Sequence, residues 1–248
     1  MSNSIAILFS GGSDSTLAAV LAAERFKRVY LITYSHPFMF FHDKVRINAR
    51  NLKNAFPDNE FLEYHGQITS LFRHLYFSNF LKYLRTHRTM MVSWICGACK
   101  IAMHLKTIQF CKTNGISHVW CGAHEESSAI FPAQMEPVIE DTKRLYAGSG
   151  IVYESPVYRL GRTDHVLRDR GILDQGDIKD QHLIYSTQRT CALGVILHAH
   201  SRLYYHRIHG LDCYRRRAHA IVRSKIGELT ANELIDMDRA GPGPDPVV

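Results

Sequence analysis

The feature that most constrains this chain lies near its start. Ser4 to Phe9 reads SIAILF, a short apolar run suited to a central buried strand. It stops at Ser10-Gly11-Gly12-Ser13-Asp14-Ser15-Thr16, after which strong helix formers, LAAVLAAERF, continue. Gly11 and Gly12 let the chain turn sharply and aim several backbone N–H groups at one point. The helix from about Ser15 adds its positive N-terminal end. Together these make an anion nest suited to nucleotide phosphates. Hydroxyls of Ser10, Ser15 and Thr16 can donate to phosphate oxygens, and Asp14 can hold Mg²⁺ directly or through water. The turn has no Gly-Lys-Ser/Thr, so it is not a Walker loop.

Strand and helix patterns then alternate. Arg28 to Ser35 reads as a second strand, Asp43 to Phe56 as a helix, and Glu60 to Tyr64 as a short strand. Ile68 to Leu84 predicts one helix with Leu71, Leu75, Phe77 and Leu81 inward. Cys96 to Lys112 predicts another, ended by Gly115, and His118 to Cys121 a strand. This alternation is the pattern of an α/β fold, a doubly wound, mostly parallel sheet that binds ligands at the C-terminal strand edge. From about Tyr146 the character changes. Ile151 to Pro156 precedes a basic helical stretch through Arg170 and Gly171, then an irregular segment, Asp174 to Asp180. Cys191 to Tyr205 and Arg215 to Ile226 read as helices, and Thr230-x-x-Glu233 as a capping box. The expected division is a core domain over 1–150, a helical appendage over 151–239 and a frayed tail over 240–248.

The 248 residues are 46% hydrophobic and 21% charged, which excludes collagen-like, coiled-coil and wholly disordered chains. No apolar stretch approaches the roughly 18 to 20 residues of a membrane span. Met1 to Ser10 lacks a basic leader and a cleavage site, so a cytoplasmic protein is expected. In that reducing compartment six cysteines point to metal binding or chemistry more than to disulfides. The net charge of +7 suits an anionic partner such as nucleotide or RNA without deciding for one.

The turn closely matches SGGxDS, the signature of the PP-loop ATP pyrophosphatases, and the chain resembles that superfamily. The resemblance implies a Rossmann-like domain that cleaves ATP between the α and β phosphates. AMP passes to a substrate oxygen, pyrophosphate leaves, and a nitrogen or sulfur nucleophile then displaces AMP. It also implies that Ser10 to Thr16, including Ser13, bind the nucleotide, with Asp14 and Ser15 catalytic. Tyr34-Ser35, in the string TYSHP, resembles the turn that relatives place beside the adenosine. Gly122, in WCGAHEE, resembles a second glycine-bearing strand end that closes over the nucleotide.

Phe131-Pro132, Glu154-Ser155-Pro156-Val157 and Leu160-Gly161-Arg162-Thr163-Asp164 resemble 7-cyano-7-deazaguanine synthase. Arg162 stands where that family usually has a catalytic Lys, keeping the cation but changing its geometry. Thr187-x-x-Thr190-Cys191 and Cys213-Tyr214-Arg215 resemble the ends of its four-cysteine zinc site. There are two departures. No cysteine lies between Cys191 and Cys213, and Ile95-Cys96-Gly97-Ala98-Cys99-Lys100 replaces a Pro-Gly-Arg-Asn stretch. This CxxC resembles the tRNA thiolation branch, where it and a third cysteine near Cys191 hold a [4Fe-4S] cluster.

Cys96, Cys99, Cys191 and Cys213 would together supply the ligand count of structural Zn²⁺, with a [4Fe-4S] cluster as the alternative. Cys111 and Cys121 read as core thiols. Arg202, Arg207, Arg215, Arg216, Arg217 and Arg223, interleaved with Tyr204, Tyr205 and Tyr214, are of the type an RNA-facing surface uses, or equally of a solvated helix face. Three readings follow. The first is an adenylating ligase using ATP, Mg²⁺ and ammonia on a small-molecule or nucleobase acceptor. The second is a tRNA sulfurtransferase, and the third a nucleotide-binding partner without turnover. A protein acceptor and a homodimer remain open.

Overall fold

Alternation along the first strand decides which helices cover which face of the molecule. In β1 (Ser4–Leu8), Ile5 and Ile7 point to one side of the sheet and Ala6 and Leu8 to the other. The first pair packs with Leu17, Val20, Leu52 and Leu167 from α1 (Ser13–Ala23), α2 (Asp43–Ala55) and α7 (Thr163–Asp169). The second pair packs with Ile101, Leu105 and Ile108 of α5 (Met91–Asn114). Burying a strand on both faces requires the continuous apolar run that the sequence displays. The computed structural model describes residues 3–40, 43–77, 80–161, 163–173 and 190–229. Arg162, the segment 174–180, the capping box and the tail lie outside the described residues.

The sheet is parallel, in the order β4-β2-β1-β5-β6, with β2 at Arg28–Ser35, β4 at Glu60–Gln67, β5 at His118–Cys121 and β6 at Val152–Glu154. The chain leaves β1 in one direction for β2 and β4, then returns to the other side for β5. The order therefore reverses between β1 and β5, and there the loops after the strands diverge and open a crevice. The strand β6 begins just after residue 150, so the sheet extends past the expected division.

Within the expected helix over 68–84, the described residues form α3 (Thr69–Phe77) and α4 (Phe80–His87). Leu75 is buried as expected, but Phe77 and Leu81 are 60% and 67% exposed. The apolar stripe expected along this stretch is therefore inward only in part. Gly115 ends α5 in the left-handed region at φ 65°, with Ile116 N–H donating to Cys111 O at 2.9 Å.

The C-terminal helices are α8 (Ala192–Ala199), a π-helical turn (His200–Tyr205), α9 (His206–His209) and α10 (Leu211–Leu229). Tyr205, Tyr214, Ala218 and Val222 join the same core as α5. A two-residue ribbon ties this region to the sheet: β3 (Met39–Phe40) pairs antiparallel with β7 (Thr190–Cys191), Met39 opposite Cys191. Among the described residues no helix is long and apolar enough to cross a membrane.

Candidate active site

The turn after β1 is held by its own atoms. Gly11 takes φ 75°, and a Cβ there would come within 2.7 Å of Val45 N in α2. Asn48 Nδ2 donates to Gly11 O at 2.7 Å. Gly12 caps α1 from extended backbone, with no side-chain cap. Its carbonyl accepts from Thr16 N–H at 2.9 Å, from Thr16 Oγ1 at 2.9 Å and from Ser15 Oγ at 3.0 Å. Ser15 Oγ also accepts from Ser10 N–H at 3.2 Å and lies 3.0 Å from Ser10 Oγ. The hydroxyls of Ser15 and Thr16 therefore brace the turn from within. What faces a ligand is backbone: the first-turn N–H groups that a helix leaves without an internal acceptor. Ser13 Oγ is buried with no hydrogen-bond partner among the described residues. Unsatisfied donors around a glycine turn fit a pyrophosphate group.

Two later segments close on this turn. Gly122, just past β5, lies against the first turn of α1, where a Cβ would come within 2.4 Å of Ser15 N. Its glycine is thus demanded by the approach of two backbones. His124 ties the same exit to the next loop, its Nε2 lying 2.7 Å from Leu160 O. Thr163, buried at the start of α7, donates from Oγ1 to Asp14 Oδ1 at 2.5 Å. This fixes one oxygen of the carboxylate expected to hold Mg²⁺. Tyr34 is buried, its hydroxyl 3.0 Å from Thr107 Oγ1, and burial pushes its phenol well above the usual tyrosine range. Ser35 is half-buried and its carbonyl accepts from Ile68 N–H at 3.2 Å.

A cavity of about 250 Å³ begins at the turn, lined by Leu8, Phe9, Ser10, Ile32 and Tyr34 at the ends of β1 and β2. A second, of about 190 Å³, holds His36, Cys96, Cys99 and Gln134 in its wall. The two share Met39, Lys100, Met103 and Cys191. One continuous cleft thus runs from the phosphate turn to the cysteines.

Three of the four expected metal ligands meet in that second cavity. Cys96 and Cys99 lie on α5, and Cys191 arrives through the ribbon with β3. Burial, with Cys99 and Cys191 nearby, pushes the Cys96 thiol up. The same ribbon sets Cys191 Sγ 3.8 Å from His36 Nε2, and Phe38 N–H donates to His36 Nδ1 at 3.2 Å. Cys213 is elsewhere, against the Tyr205 hydroxyl. Neighbouring helical residues point about 100° apart, and on α10 it is Tyr214 that faces α5, its hydroxyl 3.4 Å from Ser93 Oγ and 2.6 Å from Ile130 O. Cys213 is therefore not among the described residues that line the cavity shared by Cys96, Cys99 and Cys191. Among the described residues no three His, Cys, Asp or Glu side chains stand in a metal-holding arrangement. Cys96, Cys99 and Cys191 thus line one cavity without standing in such an arrangement.

Cys111 and Cys121 are buried in the core; burial pushes Cys111 up to about 12, and Tyr153 OH donates to Cys121 Sγ at 2.9 Å. On the basic surface the six arginines are exposed, but Tyr205 and Tyr214 are buried, leaving Tyr204 as the exposed tyrosine of the three. Sequence reasoning missed His36, Lys100 and the role of Thr163. His36 carries no local signal, Lys100 merely follows the CxxC, and Thr163 sat beside the more conspicuous Arg162.

Among curated proteins none matches this chain at a significant level. Similar solved structures include a 4-thiouridine synthetase–RNA complex with bound ATP, at 14% identity and TM-score 0.46, covering 90% of this chain and 53% of that one. Another is the U34-tRNA thiolase NcsA from Methanococcus maripaludis with its [4Fe-4S] cluster, at 14% identity and TM-score 0.46, covering 94% and 74%. The chain thus spans about half the length of the first. The family model described as queuosine biosynthesis protein QueC matches residues 4–191, most of the chain. With its phosphate turn at the switch point of a parallel sheet, the chain belongs to the QueC family.

Proposed function

We propose that this protein adenylates a carboxylate with ATP and then delivers a nitrogen nucleophile to it, as a 7-cyano-7-deazaguanine synthase-like enzyme. The observation that carries the reading is the cleft that joins the phosphate turn to a second cavity large enough for an acceptor group. The β and γ phosphates sit against the N–H groups of the turn, and the α phosphate faces the cleft. A carboxylate oxygen of the acceptor attacks the α phosphorus, the bond to the β-phosphate oxygen breaks, and pyrophosphate leaves. Ammonia then attacks the acyl carbon and AMP departs. Catalysis is largely electrostatic, because donors fixed before the reaction meet charge as it develops on the leaving group. Mg²⁺ held at Asp14 would supply further neutralisation of that charge. Thr163 fixes one oxygen of the Asp14 carboxylate by donating to it.

Pyrophosphate release from ATP with a 7-deazaguanine-7-carboxylate and ammonia tests the reading. The expected result is release that depends on the acid and falls by about a hundredfold or more in Asp14→Asn. ATP binding without release under all these conditions would instead support a nucleotide-binding partner.

The meeting of Cys96, Cys99 and Cys191 without Cys213 favours one second reading, ATP-dependent sulfur transfer to tRNA. Three thiolates would there hold a [4Fe-4S] cluster and leave one iron without a protein ligand. Anaerobically purified protein that is brown and absorbs near ~400 nm supports this alternative; colourless protein with stoichiometric zinc sinks it.

A further inference from the structure

Among the described residues Lys100 is the one charged side chain, apart from the titratable imidazole and thiols, that lines the two cavities, and both share it. It stands on α5 where the cavities meet, half-buried, with Met39 and Met103 beside it in the common wall. Among the described residues neither lining contains a carboxylate, and no Asp or Glu forms an ion pair with Lys100. One turn further along the same helix, His104 is buried, its Nδ1 3.0 Å from the Tyr146 hydroxyl. Burial first, and Lys100 second, hold that imidazole neutral, so it brings no counter-charge.

A cation withdrawn partly from water without a counter-ion is costly, and its cost is recovered when an anion arrives. The remaining wall of the second cavity is mostly apolar, with Ile95, Phe131 and Leu193, and offers such an anion little else. The phosphates already have the N–H groups of the turn at the far end of the cleft. The negative group still to be held is the one that must approach the α phosphate, the carboxylate of the acceptor. Two anions repel as they approach, and an ammonium between them lowers that repulsion.

We propose that Lys100 binds the acceptor's carboxylate and holds it against the α phosphate, an inference that rests on the adenylation reading above. A lysine suits this task because its ammonium is a compact charge on a flexible stem, able to follow the oxygen as it transfers.

Calorimetric binding of 7-deazaguanine-7-carboxylate, its neutral 7-carboxamide and ATP to the full chain tests the assignment. Lys100→Met is expected to weaken carboxylate binding about tenfold or more, with the carboxamide and ATP changed by less than about twofold, and Lys100→Arg to recover part of the loss. Unchanged ATP binding also reports that the variant is folded. Equal losses for carboxylate and carboxamide, lost ATP binding, or no carboxylate binding by the wild-type chain would each overturn the proposal. Wild-type protein that shows the Lys100-dependent preference but releases no pyrophosphate would overturn the adenylation reading alone. Release that is unchanged in Lys100→Met would overturn the role of Lys100 alone.

Discussion

The two ends of the cleft are built in opposite ways. The phosphate turn comes from seven consecutive residues, and hydrogen bonds among Ser10, Gly12, Ser15 and Thr16 hold it from within. The cysteine end is gathered from residues 36, 96–100 and 191, and a ribbon of two residues per strand brings the last of these into place. The first end tolerates no added atom, since Gly11 and Gly122 each meet backbone within 3 Å of an added Cβ. At the second end a Cβ on Gly194 would lie 3.7 Å from the Cys191 Cβ, an ordinary contact. A site that binds phosphates through backbone must be rigid, whereas one that grips an acceptor through side chains can give.

The largest effect should follow from pressing on that contrast with one methyl group. Gly122→Ala forces apart β5 and α1, and overpacking of this kind costs about 1–3 kcal/mol. Pyrophosphate release should fall by roughly a hundredfold and the melting temperature by roughly 3–10 °C. Gly194→Ala should leave both nearly unchanged. Equal responses in calorimetry and turnover would end the distinction between a rigid and a yielding end.

Next is Thr163→Val, which removes the hydrogen bond to the Asp14 carboxylate. Bonds to charged groups contribute about 1.5–3 kcal/mol, so turnover should drop about tenfold to a hundredfold. Mg²⁺ titrations should show a higher requirement, and Thr163→Ser should restore most activity. A purely structural role would lower the melting temperature without moving the Mg²⁺ dependence.

At the other end, Cys191→Ser and Cys213→Ser separate a three-thiol site from a four-thiol one. Metal analysis of anaerobically purified protein should show bound metal lost in Cys191→Ser and retained in Cys213→Ser. Loss in both would restore Cys213 as a ligand and undo the asymmetry.

The smallest effect concerns acid. Burial holds the His104 pKa well below its ordinary value, so the unfolded chain takes up a proton that the folded chain refuses. Stability from this group is present above the unfolded pKa of about 6.5 and is lost as pH falls below it, by up to about 1.4 kcal/mol per pH unit. Melting curves between about pH 7.5 and 5.5 should show the decline, and His104→Asn should flatten it.

Much of the fold was legible in advance. Strand β1, the turn, α5 with its stop at Gly115, and the parallel arrangement all follow from apolar runs, glycine and alternation within short windows. The inward face over 68–84 was legible only in part, because Phe77 and Leu81, read as inward, are exposed. Tyr205 and Tyr214 read as surface residues among arginines, yet they fill the core. Composition gives the alternation of Arg and Tyr but not the face on which α10 docks.

By itself the sequence determined the chemistry of the phosphate turn, since its backbone N–H groups and bracing hydroxyls come from neighbours along the chain. It also limited the candidate ligands to a few cysteines. Only the tertiary structure decided that Cys191 meets Cys96 and Cys99 while Cys213 does not, that Thr163 reaches Asp14 across 149 residues of sequence, and that Lys100 stands where the two cavities join. The physical reason is one of distance. Local hydrogen bonds are written in spacing, but a contact between remote segments depends on which way a helix is turned when it packs, and a rotation of about 100° exchanges one residue for the next.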